Sequence, residues 1–459
     1  MAKYKITSKD LVEVGYTPGP VFGLILSEFN KDYKFYSRED QMSLLGKVLE
    51  TPSNFHSNDG ILGKIANFLD PPVVDSLNKS YKLNDKSVDV EIYGSEGIEE
   101  GAKHQIYTAG KLPIAKKAAL MPDAHQGYGL PIGGVLATKD AVIPYGVGVD
   151  IGCRMALTLY DMGPNYINGK TDQIQKALES NTFFGTGVQN DMDPDSHIMD
   201  DERWKSFKII KDLKDTAWRQ LGTSGGGNHF VDIGTVKMGD NIYTGILTHS
   251  GSRGFGAQIA RFYTNLAKER CSLPAGSGHL AWLDMNTDEG QEYWLAMNLA
   301  GDYAKACHDE IHRRLAKDLG WKAFEKIENH HNFAWKEMVN GEELIVHRKG
   351  ATPAGEGVMG IIPGSMASDA YIVRGKGNPD SINSASHGAG RVMSRTKAKE
   401  NVSPSMMKNM LKDNEVTLIG GGVDESPHVY KDIHEVMRNQ TDLVEVVGTF
   451  TPKIVKMAG

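Results

Sequence analysis

Several side chains of the types that bind transition metals follow apolar, strand-like runs and lie among glycines or small residues. Asp150 and Cys153 are three residues apart in GVDIGC, so both can face one point. The other candidates are Asn228 and His229 in GGGNHF, His249 in LTHSGSRG, and His330, His331 and Asn332 in ENHHNFAW. A single such histidine is more often a hydrogen-bonded structural residue, but the repeated pattern favours a shared site. Carboxylate, thiol and imidazole ligands together suit Mn²⁺, Zn²⁺ or Fe²⁺ better than Mg²⁺ or Ca²⁺.

A second chemical signal is the imidazole of His387 in SASHGAGRVMSR. Glycines follow it directly, and Arg391 and Arg395 come just beyond. This setting favours contact with a phosphate, because arginine forks pair with phosphate oxygens and glycine turns form anion-binding nests. Further candidates of this kind are Arg253 in SGSRG, Arg348 and Lys349 in HRKGATPA, and Ser365 in IPGSM. The Walker and Rossmann glycine motifs are absent, so a nucleotide site would be of another kind.

The sequence HDEIH places His308 and His312 four residues apart on a predicted helix, which is the spacing of zinc-protease histidines. In that motif a glutamate directly follows the first histidine, whereas here the position holds Asp309. The helical spacing assigns both histidines to the polar face of the helix. We therefore expect them to be solvated rather than to bind a metal.

The amino-acid composition limits the classes to which the protein can belong. The 459 residues are 40% hydrophobic and 24% charged, which is typical of a globular protein. The formal net charge of −7 means that nucleic acid would have to bind through a local basic patch. The three cysteines form no disulfide framework, and the sequence shows neither an N-terminal signal pattern nor an apolar run of membrane-spanning length. These features predict a cytoplasmic protein without a membrane segment.

The elements that must position these residues are mixed, without regular βαβ alternation, which predicts an α+β fold with one large catalytic body. Helices are expected at SREDQMSLLGKVLE, at GIEEGAKHQIYTAGKLP, over most of 165–220 and over 288–318. Short strands are expected beside the glycine motifs, in VLAT, AVIP, GVGVDIGCRMALTLY, HFVDIG, NIYTGILTHS, ELIVHRKG, GIIPGSM, AYIVRG and VTLIGGG. Residues 1–70 are predicted to be a small mixed segment that ends at Pro71 and Pro72.

Seven stretches occur in a fixed order: MPDAHQGYGLPIGG, GVDIGC, GGGNHF, HSGSRG, HRKGATPA, IPGSM and SHGAGRVMSR. Together they closely resemble the motifs of the RtcB family of GTP-dependent RNA ligases, and the resemblance runs from about residue 100 to the end. It implies a single RtcB-like catalytic domain at 71–459, with mixed strands and helices around a central metal site. Residues 1–70 would then form an N-terminal extension of unassigned role.

The resemblance implies an enzyme that joins an RNA 3′-phosphate or 2′,3′-cyclic phosphate end to a 5′-hydroxyl end, with GTP and two Mn²⁺ ions as cofactors. His387 matches the histidine that becomes bonded to GMP, and Asp123 is the candidate that orients it. The metal ligands of the family match Asp150, Cys153, His229, His249 and His331. Its nucleotide contacts match Asn228, Asp232, Ser365, Ala389, Gly390 and Lys456.

Some residues depart from the family pattern. Asp232 stands where the family usually has a glutamate that reads the guanine edge, and Ser386 stands where many members have cysteine. These differences suggest a divergent bacterial-type branch that acts in RNA repair or tRNA splicing. The implied partners are RNA, bound along a narrow basic strip around the active site, and an archease-like activator.

Two other interpretations stay open on the sequence. The same metal cluster could open cyclic phosphates as a metal-dependent phosphoesterase, which would need neither GTP nor His387. A non-catalytic RNA- or GTP-binding protein on the same fold would bind GTP without forming a covalent adduct. The presence of His387 argues against the second interpretation, because a binding protein needs no nucleophile.

Overall fold

The computed structural model describes residues 4–56, 58, 60–70, 79–163, 165–190, 194 and 196–459. Its α-helices are α1 (Ser8–Val14), α2 (Pro20–Leu24), α3 (Asn30–Asp32), α4 (Arg38–Glu50), α5 (Ile61–Leu69), α6 (Glu100–Gly110), α7 (Pro144–Val147), α8 (Thr171–Asn181), α9 (Lys208–Gln220), α10 (Arg253–Arg270), α11 (Asp288–Leu319), α12 (Arg395–Asn401), α13 (Pro404–Asp413) and α14 (Ile433–Arg438). Among these described residues, no helix is both long enough and apolar enough to cross a bilayer.

The strands are β1 (Lys79–Ser80), β2 (Val90–Ile92), β3 (Ala115–His125), β4 (Ile132–Thr138), β5 (Ala141–Val142), β6 (Arg154–Tyr160), β7 (Phe230–Met238), β8 (Asn241–Ser250), β9 (Cys271–Ser272), β10 (Leu283–Asp284), β11 (Ala323–His330), β12 (Asn332–Val339), β13 (Glu342–Lys349), β14 (Ala351–Pro353), β15 (Met359–Ile362), β16 (Ala370–Gly375), β17 (Ser384–Ser386), β18 (Thr417–Ile419) and β19 (Val444–Met457). The large sheet has the order β11-β6-β8-β7-β19-β16-β15, with β18 beside β19. The small sheet has the order β12-β13-β4-β3-β2. The mixture of helices with largely antiparallel strands in the whole structure confirms the α+β prediction.

Helices α1, α2, α4 and α5 bury their apolar side chains against one another. The described residues between 4 and 70 are therefore a helical bundle, and the expectation of a mixed segment is wrong. Ser37 caps α4, since its Oγ accepts a hydrogen bond from Asp40 N, as the sequence predicts. The bundle also contacts the rest of the chain, where Glu28 pairs with Lys336 of β12. The predicted boundary at Pro71 and Pro72 lies outside the described residues.

Helix α11 confirms the long helix expected at 288–318, but its surroundings differ from the expectation. It contacts α2, α8 and α10, and strands β6 and β8 cover another side. Polar side chains of α11 are therefore buried together with its apolar ones. Periodicity along a helix shows which residues share a face, but it does not show whether another layer covers the polar face.

The expectation that the two histidines of HDEIH are solvated is wrong. His308 is 0% exposed and His312 is 5% exposed. Thr248 Oγ1 of β8 lies 2.6 Å from His308 Nδ1 and 2.8 Å from His312 Nε2. Thr158 Oγ1 of β6 lies 2.6 Å from His312 Nδ1. Burial lowers the pKa of His312 to about 3, so this histidine is a neutral hydrogen-bonded group inside the scaffold.

A buried carboxylate connects two helices of the N-terminal bundle. Asp10 of α1 is 4% exposed and accepts hydrogen bonds from Thr7 and Tyr4. Arg38, at the start of α4, donates to the same carboxylate at 2.6 Å. Burial alone raises the pKa of Asp10, but these donors outweigh it and lower the pKa to about 2. The ionised carboxylate therefore stabilises the bundle.

Replacing Asp10 by Asn should destabilise the bundle by about 1–2 kcal/mol at neutral pH, because the hydrogen-bonded charge is lost. Since the pKa of folded Asp10 lies below its unfolded value, the stabilisation is complete above about pH 4 and is lost as the pH falls toward about 2. Hydrogen exchange of the amides of α1 and α4, measured against pH, would detect this. Asp32→Asn, at an exposed carboxylate outside α1 and α4, is the control. Equal exchange in Asp10→Asn and wild type at neutral pH would contradict the prediction.

Candidate metal and nucleotide site

Neighbouring strands of the large sheet bring the candidate metal ligands to one edge. Cys153 directly precedes β6, His249 lies near the end of β8, and His229 directly precedes β7. Because β8 pairs antiparallel with both β6 and β7, these three residues meet. Asp150 comes from the glycine-rich turn before β6. His331 is the residue between β11 and β12, and β11 is the other neighbour of β6.

The ligand atoms form two groups of three that share the sulfur of Cys153. One group contains His249 and His331, the other contains Asp150 and His229, and the atoms of each group lie within 4.8 Å of one another. The sulfur is 3.1 Å from His249 Nε2 and 3.6 Å from His229 Nε2. The second pair of contacts joins His249 Nε2 to His331 Nε2 at 3.2 Å and His229 Nε2 to Asp150 Oδ2 at 2.9 Å. The cluster is buried and could hold a metal.

Backbone carbonyl groups orient two of the imidazoles. His229 Nδ1–H donates to the carbonyl oxygen of Ser224 at 2.6 Å. His249 Nδ1–H donates to the carbonyl oxygen of Asn228 at 3.0 Å. With Nδ1 protonated, Nε2 of each ring carries a lone pair toward the cluster, which is the usual arrangement for metal-binding histidines.

The carboxylate of Asp150 lies directly against the backbone of Gly251. A Cβ at this position would overlap the carboxylate, so the close approach requires glycine. Ser252 N donates to Asp150 Oδ1 at 3.0 Å. Burial alone raises the pKa of Asp150, but the interaction with the adjacent His229 ring and the charge of Arg253 bring it to about 2. Asp150 is therefore ionised at neutral pH.

The other ligands have protonation states that suit a cation. Burial and the Asp150 charge raise the pKa of Cys153 well above its ordinary value, so the thiol needs a bound cation to become a thiolate. Burial lowers the pKa of His249 to about 3 and holds that of His331 well below its ordinary value. Both imidazoles are therefore neutral and able to coordinate.

His387 lies on the side of the site formed by β17 and the small sheet. Its Nδ1–H donates to Asp123 Oδ2 at 2.6 Å, and the same oxygen accepts from the backbone N–H groups of His387 and Gly388. Burial alone raises the pKa of Asp123, but the interaction with His387 outweighs it and lowers the pKa. The centre of the His387 ring lies 5.0 Å from that of His331, so a group bound to the metal cluster would be adjacent to the His387 ring.

Gly390 keeps the loop after His387 close to Asp123. Its φ of +75° is in the left-handed region, and a Cβ would overlap the carbonyl oxygen of Asp123. Both the backbone conformation and the close approach therefore require glycine. The loop that carries His387 is packed directly on the residue that orients it.

Residues of both sheets line one pocket of about 250 Å³. The predicted site residues that line it are Asp150, Cys153, Asn228, His229, Asp232, His249, His331, Ser365, His387, Ala389 and Gly390. Asp123 is fully buried behind His387. Asp232 is 5% exposed, burial raises its pKa, and its Oδ1 finds no hydrogen-bond partner among the described residues. A buried carboxyl group in this state fits a ligand that brings hydrogen-bond donors.

Lys456 is a predicted nucleotide contact that the structure does not bring to the pocket. Its ammonium donates to carbonyl oxygens at the C-terminal end of α8, at 2.9 and 3.0 Å. The two neighbours of Lys456 in β19, Val455 and Met457, line the pocket. Because successive side chains of a strand point to opposite faces, Lys456 points away.

Three candidates from the sequence have structural contacts instead. Arg348 is fully buried and pairs with Glu337 at 2.6 Å, so its expected contact with a phosphate is wrong. His330 packs against the Trp335 ring, and it is not in the metal cluster that the described residues form. Lys349 is 5% exposed, and burial lowers its pKa to about 7.

Glu425 and Tyr430 line the pocket but were not predicted. The Glu425 carboxylate pairs with Arg391 at 3.2 Å and with Arg395. Tyr430 donates its hydroxyl hydrogen to Glu425, and the Arg391 guanidinium lies 5.3 Å from the centre of its ring. The arginines after His387 are thus held by residues 30 or more positions further along the chain, which local spacing does not reveal.

Comparison with known proteins identifies relatives over most of the chain. The family described as tRNA-splicing ligase RtcB matches residues 105–208 and 195–457. The RNA-splicing ligase RtcB of Escherichia coli K12 is 37% identical over 394 residues, covering 77% of this chain and 93% of the relative. The tRNA-splicing ligase RtcB of Nanoarchaeum equitans is 30% identical over 468 residues, covering 82% of this chain and 96% of the relative. The matched region includes the metal cluster and His387.

Cobalt binding tests whether the two ligand groups share one sulfur. Wild-type protein should bind Co²⁺ with a thiolate-to-metal charge-transfer band. Cys153→Ala should lose the band and most of the metal, whereas Asp150→Ala should keep the band and about half of the metal, because only one group is damaged. Absorption spectra and metal analysis would measure both effects. Cys271→Ala, at another buried cysteine, is the control. A Cys153→Ala variant that retains the band would refute the assignment.

Proposed function

The chain belongs to the RtcB family, and from this premise we propose that it is an RNA ligase that works through a covalent histidine–GMP intermediate. It joins an RNA 3′-phosphate or 2′,3′-cyclic phosphate end to a 5′-hydroxyl end. The observation that carries the proposal is the 2.6 Å hydrogen bond from His387 Nδ1 to Asp123. This bond leaves Nε2 as the nucleophilic nitrogen, next to the cluster that contains His331.

The first step is attack of His387 Nε2 on the α-phosphorus of GTP. A nitrogen–phosphorus bond forms, the bond from the α-phosphorus to the bridging oxygen breaks, and pyrophosphate leaves. Asp123 stabilises the positive charge that develops on the imidazole ring and keeps Nδ1 protonated. The adjacent glycines allow the nucleotide to approach the backbone closely.

The next two steps transfer the activated group and seal the RNA. An oxygen of the RNA 3′-phosphate attacks the phosphorus of the adduct, and the nitrogen–phosphorus bond breaks with its electron pair returning to His387. The RNA then carries GMP on its 3′-phosphate. The 5′-hydroxyl oxygen attacks the RNA phosphorus, loses its proton and expels GMP. A cyclic phosphate is first opened by water.

The pocket fits GTP through an unpartnered carboxyl group. Asp232 would accept hydrogen bonds from the N1–H and amino groups of guanine, which supplies the partner that its buried oxygen lacks within the described chain. Asn228, Ser365, Ala389 and Gly390 would contact the rest of the nucleotide. A pocket lined by both Asp232 and His387 supports binding of the base and of the reacting phosphate in one place.

Each ligand group would hold one metal ion, and the family resemblance favours Mn²⁺. The thiol, carboxylate and neutral imidazoles are a donor set that allows Mn²⁺, Zn²⁺ or Fe²⁺. When bound, the ions neutralise charge on the reacting phosphates. Residues of the chain hold this arrangement: Asp150 is already ionised, and carbonyl groups orient His229 and His249.

The physiological setting is also a proposal. The substrate is cleaved RNA in repair or tRNA splicing, and an archease-like protein is the activator that we expect. The three free cysteines, Cys153, Cys271 and Cys307, favour a reducing compartment such as the cytoplasm.

Covalent labelling tests the proposed nucleophile. Wild-type protein incubated with Mn²⁺ and GTP labelled at the α-phosphate should retain label after denaturation, and the bond should be acid-labile and alkali-stable. His387→Ala should retain none. Asp123→Asn should form the adduct at least about 100-fold more slowly, because Nδ1 loses its charged partner. His434→Ala, at an exposed histidine outside the pocket, should label like wild type.

Absence of label on folded, metal-loaded wild-type protein supplied with an activator would exclude the ligase mechanism. Hydrolysis of a cyclic phosphate without GTP, unaffected by His387→Ala, is the result expected of a phosphoesterase. Tight GTP binding with no covalent label is the result expected of a binding protein.

Nucleotide choice tests Asp232. Asp232→Asn should reduce adduct formation from GTP about 10- to 100-fold and change that from ATP much less, because the variant presents an amide donor to guanine donors. Rates of labelling with the two nucleotides would measure the ratio. Asp240→Asn, in the exposed turn between β7 and β8, is the matched control. An unchanged GTP-to-ATP ratio in Asp232→Asn would remove this residue from guanine recognition.

A further inference from the structure

A cluster of aromatic side chains lies beside the pocket, outside the residues assigned above. Tyr128 is 67% exposed. Its ring lies 5.7 Å from the His279 ring, which in turn lies 4.6 Å from the ring of Tyr145. The ammonium of Lys349 lies 4.7 Å from the centre of the Tyr145 ring. These four residues, which we term the aromatic platform, present one exposed ring that two partly buried rings support.

The aromatic platform adjoins the pocket through the chain itself. Tyr128 lies in the loop between β3 and β4. The residues at the two ends of this loop, His125 and Ile132, both line the pocket. Lys349 directly precedes Gly350, which also lines it. An RNA end whose phosphate lies in the pocket therefore brings its adjacent nucleotides next to the platform.

The backbone of the loop is anchored although the Tyr128 ring is exposed. Gln105 of α6 binds both backbone groups of Gly127: its Nε2 donates to the carbonyl oxygen at 2.6 Å, and its Oε1 accepts from the N–H at 3.0 Å. Lys349 Nζ donates to the carbonyl oxygen of Tyr128 at 2.6 Å. A ring on an anchored backbone loses little conformational freedom when a ligand binds it.

The aromatic platform and the proposed guanine side of the pocket come from different parts of the fold. Asp232 belongs to β7 of the large sheet, whereas the loop of Tyr128 joins two strands of the small sheet. A base that stacks on Tyr128 therefore uses a different surface from the base of GMP. Exposed aromatic rings beside a phosphate-binding site are the surfaces on which proteins stack unpaired nucleobases.

We propose that Tyr128, supported by His279 and Tyr145, stacks on an unpaired nucleobase next to the RNA break. This inference rests on the proposed function, and it specifies the form of the substrate as a single-stranded end. Aromatic stacking accepts any base, so the platform selects unpaired nucleotides without selecting a sequence.

Equilibrium binding of a fluorescent single-stranded RNA with a 3′-phosphate to metal-loaded protein measures the stacking without requiring ligation. Tyr128→Ala should raise Kd about 10-fold, and Tyr128→Phe should stay within about twofold of wild type because it keeps the ring. An RNA with abasic nucleotides next to its 3′-phosphate should bind wild type as weakly as intact RNA binds Tyr128→Ala. Tyr36→Ala, at an exposed tyrosine of the N-terminal bundle, should leave Kd unchanged.

An unchanged Kd in Tyr128→Ala, or an equal loss in Tyr128→Phe, would overturn the stacking proposal. Labelling with GTP separates this failure from failure of the proposed function, since Tyr128→Ala should form the histidine–GMP adduct at the wild-type rate. Wild-type protein without an adduct would refute the ligase chemistry, and the binding comparison would still decide the role of Tyr128.

Discussion

The rest of the structure depends on one constraint: imidazole and carboxylate groups converge around the sulfur of Cys153. Polar groups removed from water destabilise a fold unless each finds a partner. The outer nitrogens of His229 and His249 find backbone carbonyl oxygens, but their inner nitrogens point toward one another and toward the sulfur. A cation is a partner that these inner atoms could share, which supports the assignment of the cluster as a candidate metal site.

The alternation of side chains along β8 explains why the site needs the scaffold behind it. His249 points to the metal cluster, so its neighbour Thr248 points to the opposite face of the sheet, where it meets His308 and His312 of α11. A shift of the strand by one residue would exchange these two sides. The buried threonine–histidine contacts therefore hold β8 in the register that presents His249 correctly. The histidines of HDEIH therefore have a structural role, because they hold the strand that carries His249, a candidate metal ligand.

The sequence predicted features that depend on local pattern. His249 and His331 lie near the end of a strand or just after it, as expected, whereas Cys153 and His229 directly precede theirs. Proximity to strands and the periodicity of α11, which is sustained over its whole length, were the recognisable patterns. Features that depend on pairings between different elements were not recognisable. Arg348 pairs with Glu337 on the neighbouring strand β12, and Arg391 pairs with Glu425, 34 residues further along the chain. Lys456 is a different case, because strand alternation in β19 could have shown that it lies on the opposite face from its neighbours.

The position of His331 shows how the candidate metal ligands and His387 are kept close together. The large sheet holds most of the metal ligands, while β3 of the small sheet carries Asp123, which orients His387. His331 is the residue between β11 of the large sheet and β12 of the small sheet. It contacts His249 on one side and His387 on the other, and its backbone N–H donates to the carbonyl oxygen of Cys153 at 3.0 Å. His331 therefore connects His387, the proposed nucleophile, with the candidate metal ligands at the junction of the two sheets.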